Sequence, residues 1–276
     1  MQTSQLTNLI DVDNILTDVN NEITSDFYYI TKLLKDQNIH HSWYELFIGT
    51  YSSLVPILKQ IDELRNDGTS IFPPANDIFK VFRKDINNIK IVLLGQDPYP
   101  KKGHAMGLAF SVNKEIVMAQ SVCNIFKELK NEYPERKYNF THGDLTTWSD
   151  RGIFLLNCAL TVIEGKPNSQ QKLWTWFTDI CIKYICLKRS NVVFLLFGAN
   201  AINKTNIINK INTDKKNLSQ KFDSTKTNNI ELNNIKLNKI VTCTHPSPMS
   251  AHNGFFGSNV FKKVDEKLGE PFDWSN

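Results

Sequence analysis

An aspartate and a histidine, far apart in the chain, each follow a short apolar run and sit among residues that stiffen the backbone. Asp97 stands in the segment Gly95-Gln96-Asp97-Pro98-Tyr99, and His245 stands just before Pro246. A carboxylate can orient a water or stabilise positive charge, and an imidazole can donate a hydrogen bond to an oxygen that gains charge. Taken singly, each has a simpler explanation: Asp97 as a turn cap, and His245 as a histidine whose hydrogen bonds are satisfied in a turn.

Four short, continuous apolar runs indicate strands that are buried on both faces, as in a parallel sheet. Helical patterns separate these runs, which favours a three-layer α/β/α sandwich around a central four-stranded parallel sheet. Right-handed crossovers put all four carboxyl ends at one edge, where Gln96, Asp97, Tyr99, Asn157 and His245 are expected to converge. The predicted strands cover residues 89–94, 153–157, 192–197 and 240–243.

Apolar residues at helical spacing predict the helices. One helical region begins near residue 25 and includes 43–48, and another, over 51–64, breaks or begins near Pro56. The other predicted helices cover residues 77–82, 121–133, 177–187 and 259–268.

Composition bounds the class of protein. The chain has 276 residues, is 41% hydrophobic and carries a net charge of +4, which permits a nucleic-acid partner without requiring one. Its five cysteines form no C-x-x-C pair, which favours reduced thiols in an intracellular protein and argues against a metal site. The polar N-terminus predicts no secretory signal, and no apolar run is long enough for a bilayer.

Two segments differ in composition from the rest. Residues 1–22 predict a flexible polar lead-in to a single domain over 23–276. Residues 203–239 are rich in asparagine and lysine and predict a mobile surface insertion or a long polar hairpin. Its lysines could contact DNA phosphates, but a solvated loop is the favoured interpretation.

Several ordered motifs resemble the family 1 uracil-DNA glycosylases, over roughly residues 40–276 apart from the Asn/Lys-rich segment. The motifs occur in the family's order, and several stand at predicted strand ends. The motifs are Gly95-Gln96-Asp97-Pro98-Tyr99, Gly107-Leu108-Ala109-Phe110-Ser111-Val112, Gly143-Asp144-Leu145 with Trp148, Gly152 to Asn157, Asn168-Ser169 with Trp174, His245 to His252, Gly254-Phe255-Phe256-Gly257 and Pro271-Phe272-Asp273-Trp274.

The resemblance implies catalytic roles for Asp97 and His245. Asp97 would orient the attacking water and stabilise the oxocarbenium-like sugar, while His245 would donate a hydrogen bond to uracil O2. Uracil can leave as an anion, so no second acid, metal or cofactor is expected.

Base recognition is assigned by the same resemblance. The amide of Asn157 complements uracil N3–H and O4, Tyr99 would exclude the methyl group of thymine, and Phe110 would stack on the flipped base. The backbone of Gln96 would also reach uracil. In isolation, Asn157 would be explained as a cap, and Tyr99 and Phe110 as core residues.

The resemblance also assigns phosphate contacts to the hydroxyls of Ser121, Ser247 and Ser250. Each serine alone would be explained as an ordinary helix cap or turn residue. Met249 stands where the family usually has a leucine that wedges into the minor groove, and methionine can keep that role. The resemblance implies single- and double-stranded uracil-containing DNA as substrate, a monomer, no membrane partner and binding of a proteinaceous glycosylase inhibitor. The expected location is cytoplasmic, or nuclear in a eukaryotic host.

Four departures from the family pattern bear on DNA affinity and rate. Pro100 and Met106 each replace a usual histidine, residues 117–120 lack a usual proline run, and Gln170 replaces a histidine. They keep open a second hypothesis, a DNA-binding or polymerase-processivity factor on the same fold that dispenses with catalysis. A third, an unrelated Asp/His hydrolase, leaves the distributed motifs unexplained.

Overall fold

A central parallel sheet organises the protein. The computed structural model describes residues 25–224 and 236–276, without the side chains of 220–224, so the predicted lead-in over 1–22 lies outside the described residues. The sheet contains β2 (Ile91–Gly95), β3 (Ile153–Asn157), β5 (Val193–Phe197) and β6 (Lys239–Cys243) in the order β3-β2-β5-β6. All neighbouring strands run parallel, which confirms the predicted fold class.

The strands form where the apolar runs predicted them, with ends shifted by at most two residues. Every residue of β2, β3 and β5 is buried, which explains why their sequences lack the polar alternation of a half-exposed strand. Gly95, predicted as the turn after the first strand, is the last residue of β2 and pairs in register with Asn157.

Helices cover both faces of the sheet. On one face, Trp43 stacks on Phe154 of β3 with ring centroids 5.0 Å apart, and Phe47 packs edge-on against Phe177. On the other face, Trp148 contacts Trp274, which packs against Phe261. The helices are α1 (Ser25–Asp36), α2 (Tyr44–Asn66), α3 (Gln120–Glu132), α4 (Thr146–Asp150), α5 (Gln171–Lys188), α6 (Ala199–Ile202), α7 (Thr205–Ser224) and α8 (Val260–Leu268).

The N-terminal helical region differs from its prediction. It is two helices, separated by a turn at Asn38 (φ 53°), and α2 runs unbroken through Pro56. Pro56 and Ser52, whose carbonyl loses its helical partner, both face solvent, where water can satisfy that carbonyl. Buried Leu54, Val55 and Leu58 hold the helix together across this point.

Three smaller features also differ from prediction. In place of one short helix over 77–82 the chain forms two 3₁₀-helices, Ala75–Asp77 and Lys80–Arg83. Helix α5 begins six residues before its predicted start, because its polar first turn carries little apolar signal. A two-stranded antiparallel sheet joins β1 (Ile71–Phe72) to β4 (Val162–Ile163), which was not predicted.

The Asn/Lys-rich segment is neither a loop nor a hairpin over its described first part. Thr205–Ser224 form the long helix α7. Ile208 is fully buried and Ile207 and Ile211 are partly buried against the core. These isoleucines lie at helical spacing on one face, a signal that the abundant asparagines and lysines obscured. Residues 225–235 lie outside the described residues.

The described residues, 25–224 and 236–276, include neither a membrane-spanning helix nor a metal-binding cluster. Within these ranges no helix combines the length and apolarity needed to cross a bilayer. Nor do three or more His, Cys, Asp or Glu side chains lie close enough together to hold a metal ion there.

Candidate active site

Gly95 and Asn157 are the last residues of two neighbouring strands, β2 and β3, and lie side by side at the base of the site. A β-carbon on Gly95 would lie 2.2 Å from Asn157 Oδ1 and 3.0 Å from the β-carbon of Ala109, closer than real contacts allow. Glycine at the end of β2 therefore leaves space that the Asn157 amide occupies. Only 8% of Asn157 is exposed. A ligand whose polar groups do not match its amide would therefore lose binding free energy, because buried donors or acceptors would be left without hydrogen bonds.

Asp97 lies where the chain leaves β2, between the sheet and the loop that precedes α5. Its Oδ2 accepts a hydrogen bond from the backbone N–H of Asn168 at 2.6 Å. Burial raises the pKa of Asp97 above its ordinary value, and the N–H of Asn168 opposes that rise by stabilising the carboxylate. The backbone N–H of Asp97 itself opposes the rise in the same way.

Tyr99 and Phe110 form a fixed aromatic pair beside Asp97. The Tyr99 hydroxyl donates to the Phe110 carbonyl at 3.1 Å, and burial raises the pKa of Tyr99, which keeps the phenol neutral. Phe110 has φ 63°, a conformation that costs energy for a bulky residue and often marks a functional site. The two rings are thus held by the backbone as well as by packing.

The hydrogen bond of His245 fixes its protonation state. Nδ1 lies 3.0 Å from the Ser247 N–H and accepts from it, so the neutral ring carries its proton on Nε2. Burial lowers the pKa of His245, which favours this neutral donor. Gly198 (φ 81°), just after β5, lets the backbone come close to His245, since a β-carbon on Gly198 would lie 3.0 Å from the β-carbon of His245.

Two adjoining clefts open at this edge. One, of about 180 Å³, is lined by residues that include Gln96, Gly198 and His245. The second lies among Asp97, Tyr99, Phe110 and Asn157 and holds only about 10 Å³, room for roughly one water. The Phe110 and His245 ring centroids are 5.7 Å apart, so a planar base must move side chains to enter.

The residues expected to contact DNA border the same edge. Ser247, Met249 and Ser250 belong to the loop that begins at His245, and the Met249 side chain is 90% exposed. Ser121 is the second residue of α3. Helix α3 is tied to that loop because Asn124 Nδ2 donates to the Pro246 carbonyl at 2.8 Å.

The structure brings together every residue that the sequence assigned to the base pocket, but sequence reasoning missed the groups that hold them. Asn168 was noted only as part of a motif, and the close approaches at Gly95 and Gly198 and the bond from Asn124 were not foreseen. Asn168 follows a proline, a context typical of turns, yet nothing local reveals which acceptor its N–H meets.

Comparisons with known proteins agree with this geometry. The model of the uracil DNA glycosylase superfamily matches residues 83–269. The uracil-DNA glycosylase of Borrelia duttonii is 39% identical over 239 residues, covering 84% of this chain and 94% of its own. The mimivirus uracil-DNA glycosylase crystal structure matches the fold with a TM-score of 0.72 at 21% identity, covering 93% of this chain and 95% of its own.

A variant of the mimivirus protein, solved in complex with UGI, also matches with a TM-score of 0.72, at 22% identity over 88% of this chain and 91% of its own. The matches to the family model and to the Borrelia enzyme each span most of the sequence, and residues 83–269 of the family match include every pocket residue described above. This chain belongs to the uracil DNA glycosylase superfamily.

Proposed function

We propose that this protein removes uracil from DNA by hydrolysing the bond between the base and the deoxyribose, and so begins base-excision repair. The observation that carries the proposal is that a carboxylate and a neutral imidazole donor both lie beside Phe110. Asp97 lines the same cleft as Phe110, and the His245 ring centroid lies 5.7 Å from that of Phe110. Family membership supports the same reaction. The C1′–N1 bond breaks and uracil departs with the bonding electrons, water adds to C1′ and loses a proton, and one proton neutralises the uracil anion.

Asp97 acts on the sugar. Its carboxylate orients the attacking water and stabilises positive charge at C1′. The bond from Asn168 occupies Oδ2, so the side chain keeps one orientation as the charge develops.

His245 acts on the base. Its Nε2–H donates to uracil O2, and that bond strengthens as the departing uracil gains negative charge. A neutral donor suits this role because the Ser247 N–H already occupies Nδ1.

Selection of uracil belongs to the remaining pocket residues. Asn157 pairs with N3–H and O4, Tyr99 blocks a 5-methyl group, Phe110 stacks on the base, and the Gln96 backbone completes the contact. The space among these residues is too small for a base, so their side chains must move apart as uracil enters.

Extrusion of the base is assigned to the loop that follows His245. The exposed Met249 fills the gap left in the stack, and Ser121, Ser247 and Ser250 hold the flanking phosphates.

The test is release of free uracil from single- and double-stranded uracil-containing DNA by the purified protein in EDTA. We expect turnover with abasic product, and Asp97→Asn should lower kcat far more than it raises KM. A wild-type protein that binds such DNA without releasing uracil would contradict the proposal and favour a DNA-binding factor.

Asn157→Asp tests base selection. A carboxylate can accept from the cytosine amino group, so we expect cytosine release to rise relative to uracil release. Unchanged selectivity would remove Asn157 from the recognition role.

Partner and assembly assignments accompany this proposal. Binding of a proteinaceous inhibitor is supported by the mimivirus variant solved with UGI. A single domain over 23–276, a monomeric state and an intracellular location stay predictions, and calibrated gel filtration with and without inhibitor tests the monomer.

A further inference from the structure

The loop before α5 grips the Asp97 segment at three points. The Gly165 N–H donates to the Pro100 carbonyl at 2.8 Å, and the Asn168 N–H donates to Asp97 Oδ2 at 2.6 Å. The Gln96 side-chain amide also donates to Asn168 Oδ1. Asn168 is therefore the residue through which this loop contacts both Gln96 and Asp97.

The backbone of Asn168 makes this grip possible. Its φ is 64°, in the left-handed region that asparagine tolerates better than other residues with a β-carbon. With this φ, the N–H points at the Asp97 carboxylate. Asn168 is exposed and contributes nothing to the hydrophobic core, so packing does not explain its conformation.

We propose that Asn168 is a positioning residue for catalysis, whose backbone N–H holds the Asp97 carboxylate in its reactive orientation and whose side chain couples that grip to Gln96. This inference rests on the proposed role of Asp97. A hydrogen bond to an ionised acceptor is stronger than one between neutral groups, and here it acts on the group that must stay charged.

Two substitutions separate the N–H from the side chain. Asn168→Gly keeps the N–H and permits the positive φ, so we expect it to retain most of the activity. Asn168→Pro removes the N–H and cannot adopt the positive φ. For it we expect kcat to fall about 10- to 100-fold, the range for loss of a charge-assisted bond, with KM little changed.

The pH profile gives a readout that a purely structural role would not move. Without the Asn168 N–H, the pKa of Asp97 rises further, because only the backbone N–H of Asp97 itself still opposes the effect of burial. The acid limb of kcat in Asn168→Pro should therefore move to higher pH, while that of Asn168→Gly stays near the wild-type position.

Asn168→Asp serves as a second variant in case the proline variant does not fold. It retains an acceptor for Gln96 and adds a negative charge next to Asp97, which should again move the acid limb to higher pH. An unchanged limb in a folded Asn168→Asp would contradict the inference.

Asn191 provides a matched control. It has the same φ of 64° and lies just before β5, at the opposite edge of the sheet. Asn191→Pro should lower the melting temperature without altering kcat or its pH profile. Wild-type kcat and pH dependence in Asn168→Pro would overturn this inference alone, whereas an inactive wild type would overturn the proposed function.

Discussion

Single backbone conformations decide the geometry of the candidate active site. Phe110 and Asn168 both have positive φ values, and each presents a backbone group to a pocket residue, Tyr99 or Asp97. The side chains of Tyr99 and Asp97 carry the functional groups, and these backbone contacts hold the groups in their orientations. Substitutions that keep the chemical groups and disturb the backbone should therefore be nearly as damaging as removal of the groups.

Gly95 allows the sharpest test at this scale. In Gly95→Ala, the new methyl group would overlap Asn157 Oδ1, at 2.2 Å, and displace the amide. We expect kcat/KM for uracil excision to fall about 100-fold, as for other small misplacements, and stability to fall by about 1–3 kcal/mol.

Steady-state kinetics with urea unfolding measures both effects. Gly49→Ala is the matched control, because a β-carbon there meets nothing within 4 Å, and it should leave turnover unchanged. Full activity in Gly95→Ala would show that Asn157 does not depend on this space.

The pH dependence of turnover should carry the signature of Asp97. Burial raises the pKa of Asp97, so protonation removes the required carboxylate at a higher pH than for an ordinary aspartate. Burial lowers the pKa of His245, and the Ser247 N–H occupies its Nδ1, so both effects favour the neutral imidazole. We expect kcat to fall on the acid side through a single ionisation.

Profiles measured between about pH 4 and pH 9 for the wild type and for Asp97→Asn test this assignment. The residual rate of Asp97→Asn should lack the acid limb. A limb that persists in the variant would assign the ionisation to another group.

The convergence of the candidate site residues at one sheet edge could be predicted from their places at strand ends, whereas their roles were implied only by the family resemblance. Asp97, Asn157 and His245 each follow an apolar run, and parallel strands bring such ends together. The contacts of Asn168 and Asn124 could not be predicted, because each joins residues far apart in sequence through one backbone group. Periodicity carries no information about such bonds.

At the scale of elements, two carboxylates join α3 to the start of α8. Glu132 accepts from the N–H groups of Phe261 and Lys262, and Glu128 accepts from Gly257. Burial and the neighbouring Glu128 raise the pKa of Glu132 from 4.5 to about 7. The buried Glu128 Oε1 has no other partner among the described residues, and a proton on Glu132 can supply one.

This pair should make stability depend on pH. The folded protein holds a proton on Glu132 between pH 4.5 and about 7 that the unfolded chain releases. Stability from this group is therefore present at low pH and is lost as the pH rises through that window, by up to about 3 kcal/mol.

Urea unfolding at pH values on either side of this window measures the effect. Glu132→Gln, which cannot titrate, should lose less stability across it than the wild type. Glu266→Gln, on the exposed side of α8, is the control and should behave as the wild type. Equal pH dependence in all three proteins would exclude the shared proton.

Element boundaries show where local pattern is insufficient. The pattern at Pro56 predicted a break, yet α2 continues because the proline faces solvent and buried neighbours pack around it. Composition alone predicted a loop or hairpin over 203–239, yet three isoleucines anchor α7. In both cases tertiary packing outweighed the local signal.

At the scale of the molecule, one hydrophobic cluster reaches from α1 to the terminal Trp274 and includes Ile208 of α7. Ile208→Ala should therefore lower the global free energy of unfolding, by about 2–5 kcal/mol as for other buried truncations, and leave uracil excision at wild-type rate. Lys210→Ala, on the exposed side of the same helix, should change neither.

Unfolding curves followed by the fluorescence of the buried tryptophans and by far-ultraviolet circular dichroism can be compared. Their agreement tests whether unfolding is a single transition. Coincident, equally shifted curves for Ile208→Ala would place α7 in the same cooperative unit as the sheet. A separate early transition would show that α7 folds as an independent appendage.

The strand order also has a consequence for how such a protein can change over generations. The hydrogen-bonded register of the strands fixes the positions of Gln96, Asn157 and His245 at the edge of the sheet. The lengths of the crossovers between the strands therefore do not affect the geometry of the pocket. The crossover from β5 to β6 carries all of α7 and still delivers His245 to its place. Lineages can thus lengthen or trim these connections, acquiring new surfaces for other molecules, while the reaction they inherited continues unaltered.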